Sequence, residues 1–377
     1  MSIIGVGDVA GAFEPVDLVL GLGPHHPSSH GLIRLRVDLE GDAISSAEPL
    51  IGHVHRGAEK LFEVRDYRQI MALANRHDWH GAFNGELGVA LAVERMLGMS
   101  IPARAQWLRT ALAELNRILS HLAFLIPVAY PDPRTPSQAN LARDTIQDAM
   151  EVATGSRVHF MANQIGGLRN DVPTNWTTAV LTALDGVEST LPELQRELFN
   201  RYPKVLTGLG VITEEQVNEF GISGVAAHAA GVDVDVRRDA PYAAYGELAS
   251  VLTPVTGRDS DARARFQALF DHVELSIALV RACMPELHAT QGSPVNVKLP
   301  KVVRAPEGMT YVSTEGPLGT SGYLLISKGK ASPWRLKMRT ASFNNVQVLS
   351  QIVPGTTVDN LVPLLQSMVY VIGDIDK

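Results

Sequence analysis

Cysteine is almost absent from this sequence. Cys283 is the single cysteine among 377 residues. One thiol cannot form an internal disulfide or supply a full set of thiolate ligands. The composition therefore excludes a disulfide framework, and it excludes an iron–sulfur or nickel–iron centre held only by cysteines of this chain. A reducing compartment fits this composition.

Long apolar runs and dense basic clusters are also missing. No run reaches the ~18 consecutive apolar residues that a membrane-spanning helix needs. The first residues lack a basic segment followed by a long apolar core, so we expect no signal peptide. The net charge is −7, and no Lys/Arg cluster could follow a phosphate backbone, which argues against nucleic acid. Any contact with a membrane would then come through partners.

Several catalytic and nucleotide-binding motifs are absent as well. There is no Gly-x-Gly-x-x-Gly after a predicted strand and no Walker A sequence. There is no Gly-x-Ser-x-Gly nucleophile motif. We therefore do not expect the chain to bind a nicotinamide nucleotide itself.

The remaining composition is that of an ordinary globular protein, with 45% hydrophobic and 19% charged residues. After a loose, Gly-rich lead-in over 1–15, alternating apolar residues predict antiparallel strands at about 16–22, 32–40 and 43–50. Helical periodicity dominates from about 66 to 284, and β segments return near 310–314, 322–327 and 334–338. The pattern predicts an α+β fold, with a central helix bundle and small antiparallel β elements from both ends of the chain.

The same pattern suggests three regions. They are an N-terminal β region over 1–64, a helical bundle over 65–300, and C-terminal strands with a terminal helical segment over 301–377. The bundle contains an irregular, Gly-rich insert near 207–242, with one short helix predicted near 214–220. One integrated domain is the alternative to this division.

A histidine loop lies between the first two predicted strands. Residues 23–31 read Gly-Pro-His-His-Pro-Ser-Ser-His-Gly, with histidines at His25, His26 and His30. Glycine and proline make such a loop rigid. A rigid loop that carries imidazoles can direct a proton donor into a pocket, or it can be a turn whose histidines bond to nearby backbone. These nine residues alone do not decide between the two.

Histidine is concentrated further along the same region. Seven of the twelve histidines lie between positions 25 and 80. Imidazoles carry protons near neutral pH or bind metals. The region has no His-Glu-x-x-His motif on a helix and no cysteine, so we expect no metal site. An isolated metal-dependent enzyme is the alternative that stoichiometric zinc in the purified protein would support.

Two further segments contain candidate site residues. In Asn-Arg-His-Asp-Trp-His at 75–80, Arg76 offers a permanent charge and Trp79 a flat face with one donor. The alternative is a helix cap in which Asp78 accepts backbone N–H bonds and Trp79 belongs to the core. Beyond the next helices, His159 is either a second site histidine or a satisfied buried one.

Asp132 lies in a proline-rich loop, Pro-Asp-Pro at 131–133. A carboxylate beside an imidazole orients it and favours its protonated form. Asp132 could pair with a histidine in this way, although a solvated loop aspartate is the commoner case.

Taken in order, these motifs resemble the D subunit of respiratory complex I, the NADH:quinone oxidoreductase family that shares ancestry with the large subunit of nickel–iron hydrogenase. The match runs nearly end to end. It rests on residues 23–31, His-Arg-Gly-Ala-Glu-Lys at 55–60, Ala-Val-Glu-Arg-Met-Leu-Gly at 92–98, Glu-Leu-Asn-Arg-Ile-Leu-Ser-His-Leu at 114–122, Gly-Gly at 166–167, Ala-Gly-Val-Asp at 230–233, Ser-Phe-Asn-Asn at 342–345 and Gly-Asp-Ile-Asp-Lys at 373–377.

The resemblance implies a hydrogenase-large-subunit-like fold and assigns roles to individual residues. It makes His30 a hydrogen-bond donor to quinone and places Asp132 near the carboxylate that pairs with this histidine. It puts Arg76 and His159 near a 4Fe–4S cluster on the partner subunit. It makes Ile375 part of the quinone chamber wall.

The sequence departs from the family pattern at three places. Trp79 stands where the family usually has a tyrosine, its second quinone ligand. An indole can donate one hydrogen bond but cannot give up a proton as a phenol can. Residues 141–144 read Leu-Ala-Arg-Asp in place of Arg-Glu-Arg-Glu, and Gln164 stands where arginine is common.

The implied function is the quinone site of a proton-translocating complex. Menaquinone or ubiquinone would be the substrate, and its electrons would come from the partner's cluster. The implied partners are the B, C, I and H subunits of such a complex, of which B carries the cluster and H lies in the membrane. This chain would be peripheral on the cytoplasmic side of the cell membrane.

The alternative is a divergent structural or assembly subunit of a complex I-like or hydrogenase-related membrane complex in which NADH is not the donor. Hydrogenase activity of this chain is excluded because the paired Cys-x-x-Cys motifs are missing.

Overall fold

The computed structural model describes residues 33–132, 134–135 and 137–377 in full, and the backbone alone of residues 2–5 and 18–21. The histidine loop at 23–31, with His30, lies outside the described residues. The predictions about its conformation and its role as a donor therefore stay predictions.

The first layer is an antiparallel sheet of four strands in chain order, formed by β1 (Ser2–Gly5), β2 (Leu18–Gly21), β3 (Arg34–Glu40) and β4 (Ala43–Leu50). In β3, Leu35 and Val37 are buried and Arg36 is exposed, as the alternating pattern predicted. β1 pairs with β2 where a loose lead-in was predicted. β1 has only four residues, and its alternation of side chains is too short to predict a strand. The strand forms because it pairs with β2.

The remaining strands form two small sheets. A two-stranded hairpin joins β5 (Asn163–Gln164) to β6 (Gly167–Leu168), and a three-stranded antiparallel sheet contains β7 (Gly308–Gly316), β8 (Gly319–Ser327) and β9 (Arg335–Arg339). The three-stranded sheet confirms the β segments predicted near 310–338. It lies against a helix at Gly88, where an added Cβ would come within 2.0 Å of the Tyr323 ring. Glycine at this position allows the helix and the sheet to approach closely.

Helices form the rest of the fold. In chain order they are α1 (Ala58–Phe62), α2 (Met71–Ala74), α3 (Ala82–Leu97), α4 (Ala103–Ala129), α5 (Gln138–Thr154), α6 (Trp176–Arg201), α7 (Glu214–Phe220), α8 (Val225–Ala229), α9 (Val236–Asp239), α10 (Ala262–Ala289), α11 (Ala341–Gln347), α12 (Leu349–Ile352), α13 (Val358–Ser367) and α14 (Ile372–Ile375). The α+β prediction is confirmed. The insert near 207–242 contains α7, α8 and α9, so the prediction of one short helix there was incomplete.

The centre of the bundle is α4, which packs along α10. Its leucines at 108, 112, 115 and 122 are buried, as the helical periodicity predicted. Among the described residues, α4 is the one helix long and apolar enough to cross a membrane, and 89% of its apolar window is buried inside the molecule. That burial is typical of the core helix of a packed bundle.

The hydrophobic core connects the ends of the chain. One cluster of buried residues includes Ile33 beside the N-terminal sheet and Ile375 in α14. A second, smaller cluster packs the other face of α3 against the strands β7, β8 and β9. The division into regions 1–64, 65–300 and 301–377 stays a prediction.

Candidate functional site

The site begins at the break between α2 and α3. The Asp78 carboxylate accepts the backbone N–H groups of His80 at 3.1 Å and Gly81 at 2.8 Å. A Cβ at residue 81 would lie 2.2 Å from Asp78 Oδ2, so this turn requires glycine. Asp78 therefore accepts backbone N–H bonds as one prediction had it, but in the turn before α3, whose N-cap is Gly81 without a side-chain cap bond. Trp79, however, is only partly buried, and part of its side chain is open to an adjacent cavity.

This cavity has a volume of about 600 Å³ and three walls. Arg76, His77 and Trp79 form the first wall. Residues 53–56, which include two of the clustered histidines, form the second. The third is formed by Ile372, Gly373, Asp376 and Lys377 of the terminal segment. The fold thus brings three motifs that are far apart in the sequence to one concave surface, which is the usual form of a small-molecule site.

The terminal segment is fastened to the cavity by backbone contacts. The Asp376 carboxylate accepts the N–H groups of Gly52 at 2.7 Å and Val54 at 2.9 Å. The His55 Nδ1–H donates to the carbonyl oxygens of Asp376 at 2.8 Å and Lys377 at 2.6 Å. Two segments more than 300 residues apart therefore hold each other in place.

Gly373 makes the third wall possible. A Cβ at this position would lie 2.3 Å from the His77 carbonyl oxygen and 2.6 Å from a ring carbon of Trp79. No side chain fits in that space. The close approach of backbone and indole fixes the direction of the Trp79 ring.

Ile375 lines a second cavity, of about 390 Å³, together with Phe343, Arg335 and Lys337. His55, Asp376 and Lys377 line both cavities. Trp79 and Ile375 therefore face adjoining spaces that share one edge.

Behind the first cavity lies a group of buried titratable side chains. His77 Nε2 is 3.8 Å from Asp374 Oδ1, and both side chains are almost fully buried. Burial and the nearby Asp374 raise the pKa of Asp78 well above its ordinary value. Burial lowers the pKa of His77, so this imidazole is neutral at pH 7.

His159 is attached to the first wall through Asn75. Its Nδ1–H donates to the Asn75 carbonyl oxygen at 3.0 Å, which leaves Nε2 as the acceptor nitrogen. Burial and the neighbouring Arg76 lower the pKa of His159. The Arg76 guanidinium donates to the Asn75 side-chain oxygen. Arg76 and His159 therefore lie on either side of one asparagine.

Comparison with known proteins decides the family. Residues 137–377 match the family described as respiratory-chain NADH dehydrogenase, 49 Kd subunit. One of the proteins named as D subunits of NADH-quinone oxidoreductase, from Streptomyces coelicolor, is 50% identical over 100% of this chain and 98% of its own length. Another, from Salinispora arenicola, is 50% identical over 99% of this chain and 97% of its own length. A third, from Syntrophobacter fumaroxidans, is 35% identical over 95% of this chain and 96% of its own length.

The chain belongs to this family. As a 49 kDa-type subunit it is one component of a multi-subunit, membrane-associated oxidoreductase complex. The sequence-based identification of the family is confirmed.

The structure places Asp132, another predicted site residue of this 49 kDa-type subunit, away from the first cavity. Its carboxylate bonds Arg134 Nε and Nη2, both at 2.9 Å, in an exposed turn. The Arg134 hydrogen bonds lower the pKa of Asp132. Asp132 does not line either cavity described above. Its predicted pairing with His30 stays a prediction because His30 is outside the described residues.

Sequence reasoning gave no role to four residues at or near the candidate site of this 49 kDa-type subunit. His77, Asp374 and Lys377 are at or behind the cavity, and the buried Glu86 supports its edge. Asp374 and Lys377 lie in the terminal motif at 373–377. The motif drew attention to this segment but did not show which part of the fold the segment contacts. Glu86 was detectable as one of two acids in the largely apolar sequence of α3. In residues 33–132, 134–135 and 137–377, no His, Cys, Asp or Glu group is arranged to hold a metal ion.

Proposed function

We propose that this chain forms part of the quinone site of an NADH:quinone oxidoreductase-type complex, where electrons from a 4Fe–4S cluster on the partner subunit reduce quinone. The observation that carries the proposal is the cavity of about 600 Å³ at which Arg76, Trp79 and the terminal segment meet. The relatives, all named as D subunits of NADH-quinone oxidoreductase, support the substrate class. A common ancestry with the hydrogenase large subunit stays a prediction.

The chemistry of the cavity suits a quinone headgroup. The headgroup is planar and weakly polar, so it can lie against the indole face of Trp79. The indole N–H can donate one hydrogen bond to a quinone carbonyl oxygen but cannot supply a proton to it. Reduction to quinol consumes two electrons and two protons, so the protons must come from other groups. His30 is the predicted first donor.

Arg76 and His159 suit the side of the site that faces the partner. The bound cluster would supply single electrons, and this chain would supply its electrostatic surroundings. A fixed positive charge such as Arg76 stabilises the reduced, more negative cluster. An imidazole at its edge can donate or accept a hydrogen bond, which also tunes the cluster potential.

The assembly that follows from this function is the one the resemblance implies. The B subunit would carry the cluster, the C and I subunits would be neighbours, and the H subunit would lie below in the membrane. The chain would be peripheral on the cytoplasmic side of the cell membrane, and quinone reduction would be coupled to proton translocation. Menaquinone and ubiquinone both fit this proposal.

Exchange of Trp79 tests the proposal directly. In the purified complex, Trp79→Tyr should keep most of the quinone reductase rate because a phenol retains a flat face and a donor. Trp79→Ala should lower the rate at least about tenfold, since positioning interactions have effects of this size. Equal rates for the wild type and both variants would remove Trp79 from the site.

Trp334→Ala is the matched control, because Trp334 is half exposed, lies against Lys328 and lines neither cavity. It should leave the rate unchanged. If the complex reduces quinone with another electron donor but not with NADH, the alternative of a complex I-like assembly with a different donor is correct.

A further inference from the structure

Glu86 is a buried carboxylate at the point where the partner-facing residues are attached to the fold. It lies on α3 and its side chain is inaccessible to solvent. Its Oε1 accepts hydrogen bonds from Asn75 Nδ2 and the Met161 N–H, both at 2.6 Å. Its Oε2 accepts the N–H groups of Ala162 at 3.0 Å and Asn163 at 3.1 Å. One side chain therefore binds both segments that carry the predicted cluster-side residues.

The first of these links sets the direction of the Asn75 amide. An amide side chain has one donor end and one acceptor end. Because Glu86 accepts from Nδ2, Oδ1 points the other way, and it is this oxygen that receives the Arg76 guanidinium. A neutral group in place of the carboxylate would not impose this orientation.

The second link sets the path of the chain that carries His159. Met161 has a φ of 50°, a left-handed conformation that residues other than glycine rarely adopt. This turn directs three successive N–H groups at the Glu86 carboxylate. With the turn held in this way, His159 reaches the Asn75 carbonyl oxygen at 3.0 Å.

We propose that Glu86 is the positioning residue that fixes Arg76 and His159 as one rigid face toward the partner's iron–sulfur cluster, and that it thereby sets the potential of that cluster. This inference rests on the proposed function. Glu86 acts through Asn75 and the turn at 161–163 and does not touch the cluster or the quinone.

The sign of the change in cluster potential in Glu86→Gln distinguishes a positioning role of Glu86 from a direct effect of its charge. If Glu86 acted only as a nearby negative charge, Glu86→Gln would raise the cluster potential. If Glu86 holds Arg76 in place, the same variant should lower the potential, in the direction of Arg76→Ala, because the ordered positive charge is lost. The measurement is a redox titration of the cluster by electron paramagnetic resonance in the complete, purified complex.

A double-variant cycle sharpens the test. Adding Glu86→Gln to the variant that carries both Arg76→Ala and His159→Ala should cause no further shift, because Glu86 acts through those two residues. Hydrogen exchange of the amides at 161–163 should rise in Glu86→Gln. An unchanged or raised potential in Glu86→Gln, or full additivity, would overturn the inference.

Two further variants control for damage to the fold. Glu94→Gln, also on α3, removes a buried carboxylate that pairs with Arg109 at 2.7 Å and accepts the Gly166 N–H at 2.8 Å. It should leave the cluster potential unchanged. If Glu86→Gln does not assemble, Asn75→Ala breaks the link to Arg76 while the backbone bonds to Glu86 remain, and it should also lower the potential.

The same experiments distinguish the inference from the proposed function. If Arg76→Ala and His159→Ala both leave the potential unchanged in an assembled complex, the proposed placement of these residues is wrong. If they shift the potential and neither Glu86→Gln nor Asn75→Ala does, only the inference about Glu86 is wrong.

Discussion

Two buried carboxylates of this protein are held in opposite ways. Glu114, in the middle of α4, contacts Arg237 Nη1 at 3.1 Å and Arg117 Nε at 3.2 Å. Although burial alone would raise its pKa, the two arginines and two hydroxyl donors hold the pKa of Glu114 at about 2. Glu86 receives only N–H donors in the contacts described above, and burial raises its pKa despite them.

The difference separates the core from the site. In the core, Glu114 pairs with two buried arginines, and Asp235 extends the network by pairing with Arg237 at 2.6 Å. Ser276 of α10 also donates to Glu114 at 2.7 Å, so the network joins α4 to α9 and α10. At the site, Glu86 is satisfied by peptide dipoles and an amide. The exposed Arg76 guanidinium donates to the side-chain oxygen of Asn75, the same amide that Glu86 binds.

Arg237→Ala should have the largest effect on the core side of this comparison. It leaves Glu114 and Asp235 buried without a shared cation, and loss of one partner of a buried ion pair costs about 3–5 kcal/mol. The free energy of unfolding, measured with denaturant, should fall by this amount. Its neighbour Arg238 is the control, because it pairs with exposed carboxylates. Arg238→Ala should cost less than about 1 kcal/mol, and similar losses in both variants would contradict the distinction.

Gly373→Ala should have the largest effect on the site side. The added Cβ would collide with the His77 carbonyl oxygen and the Trp79 ring. We expect a loss of stability of about 1–3 kcal/mol, as for other overpacked positions, together with a loss of quinone reductase activity. Gly186→Ala, on α6, is the control, because Gly186 likewise has no positive φ and has open space around its Cβ, so the added methyl group meets no collision. An active Gly373→Ala complex would show that the terminal segment does not shape the site.

The pH dependence of unfolding should differ in sign between the two carboxylates. Because the pKa of Glu114 is lowered in the folded protein, its ionised carboxylate stabilises the fold above pH 4.5, the ordinary pKa of a glutamate. This contribution is lost as the pH falls from 4.5 toward about 2. The raised pKa of Glu86 contributes stability below 4.5 that is lost as the pH rises through the folded-state value. Glu114→Gln should therefore flatten the rise in stability between about pH 2 and pH 4.5, and Glu86→Gln should make stability rise more steeply with pH just above 4.5. The same direction of change in both windows would refute the contrast.

Asp132→Asn should have the smallest effect on stability. Its salt bridge to Arg134 is exposed, so the unfolding midpoint should not change measurably. The quinone reductase rate then tests the role that the resemblance gave to Asp132, since a lower rate cannot be ascribed to a weakened fold. An unchanged rate would leave Asp132 as an ordinary surface residue.

The amino-acid sequence was enough to predict the family, the α+β class and most long helices. Apolar periodicity located α4, whose leucines pack on α10, and Gly155 marked the end of α5, where it adopts a φ of 82°. These features depend on residues close together in the chain. The same reasoning selected Arg76, Trp79 and His159 individually, yet it could not show which of them meet.

The folded chain was needed to show that His159 bonds Asn75, that Asp376 ties the end of the described chain to residues 52–54, and that Glu86 holds the turn at 161–163. The physical reason is that these contacts join groups 75 or more residues apart and pair a side chain with backbone atoms. Backbone N–H groups look alike in every sequence. When a carboxylate is bound by backbone N–H groups, no particular residue type in the sequence indicates its partner. The partners of Glu114 are arginines, which are at least visible in the sequence as charged residues.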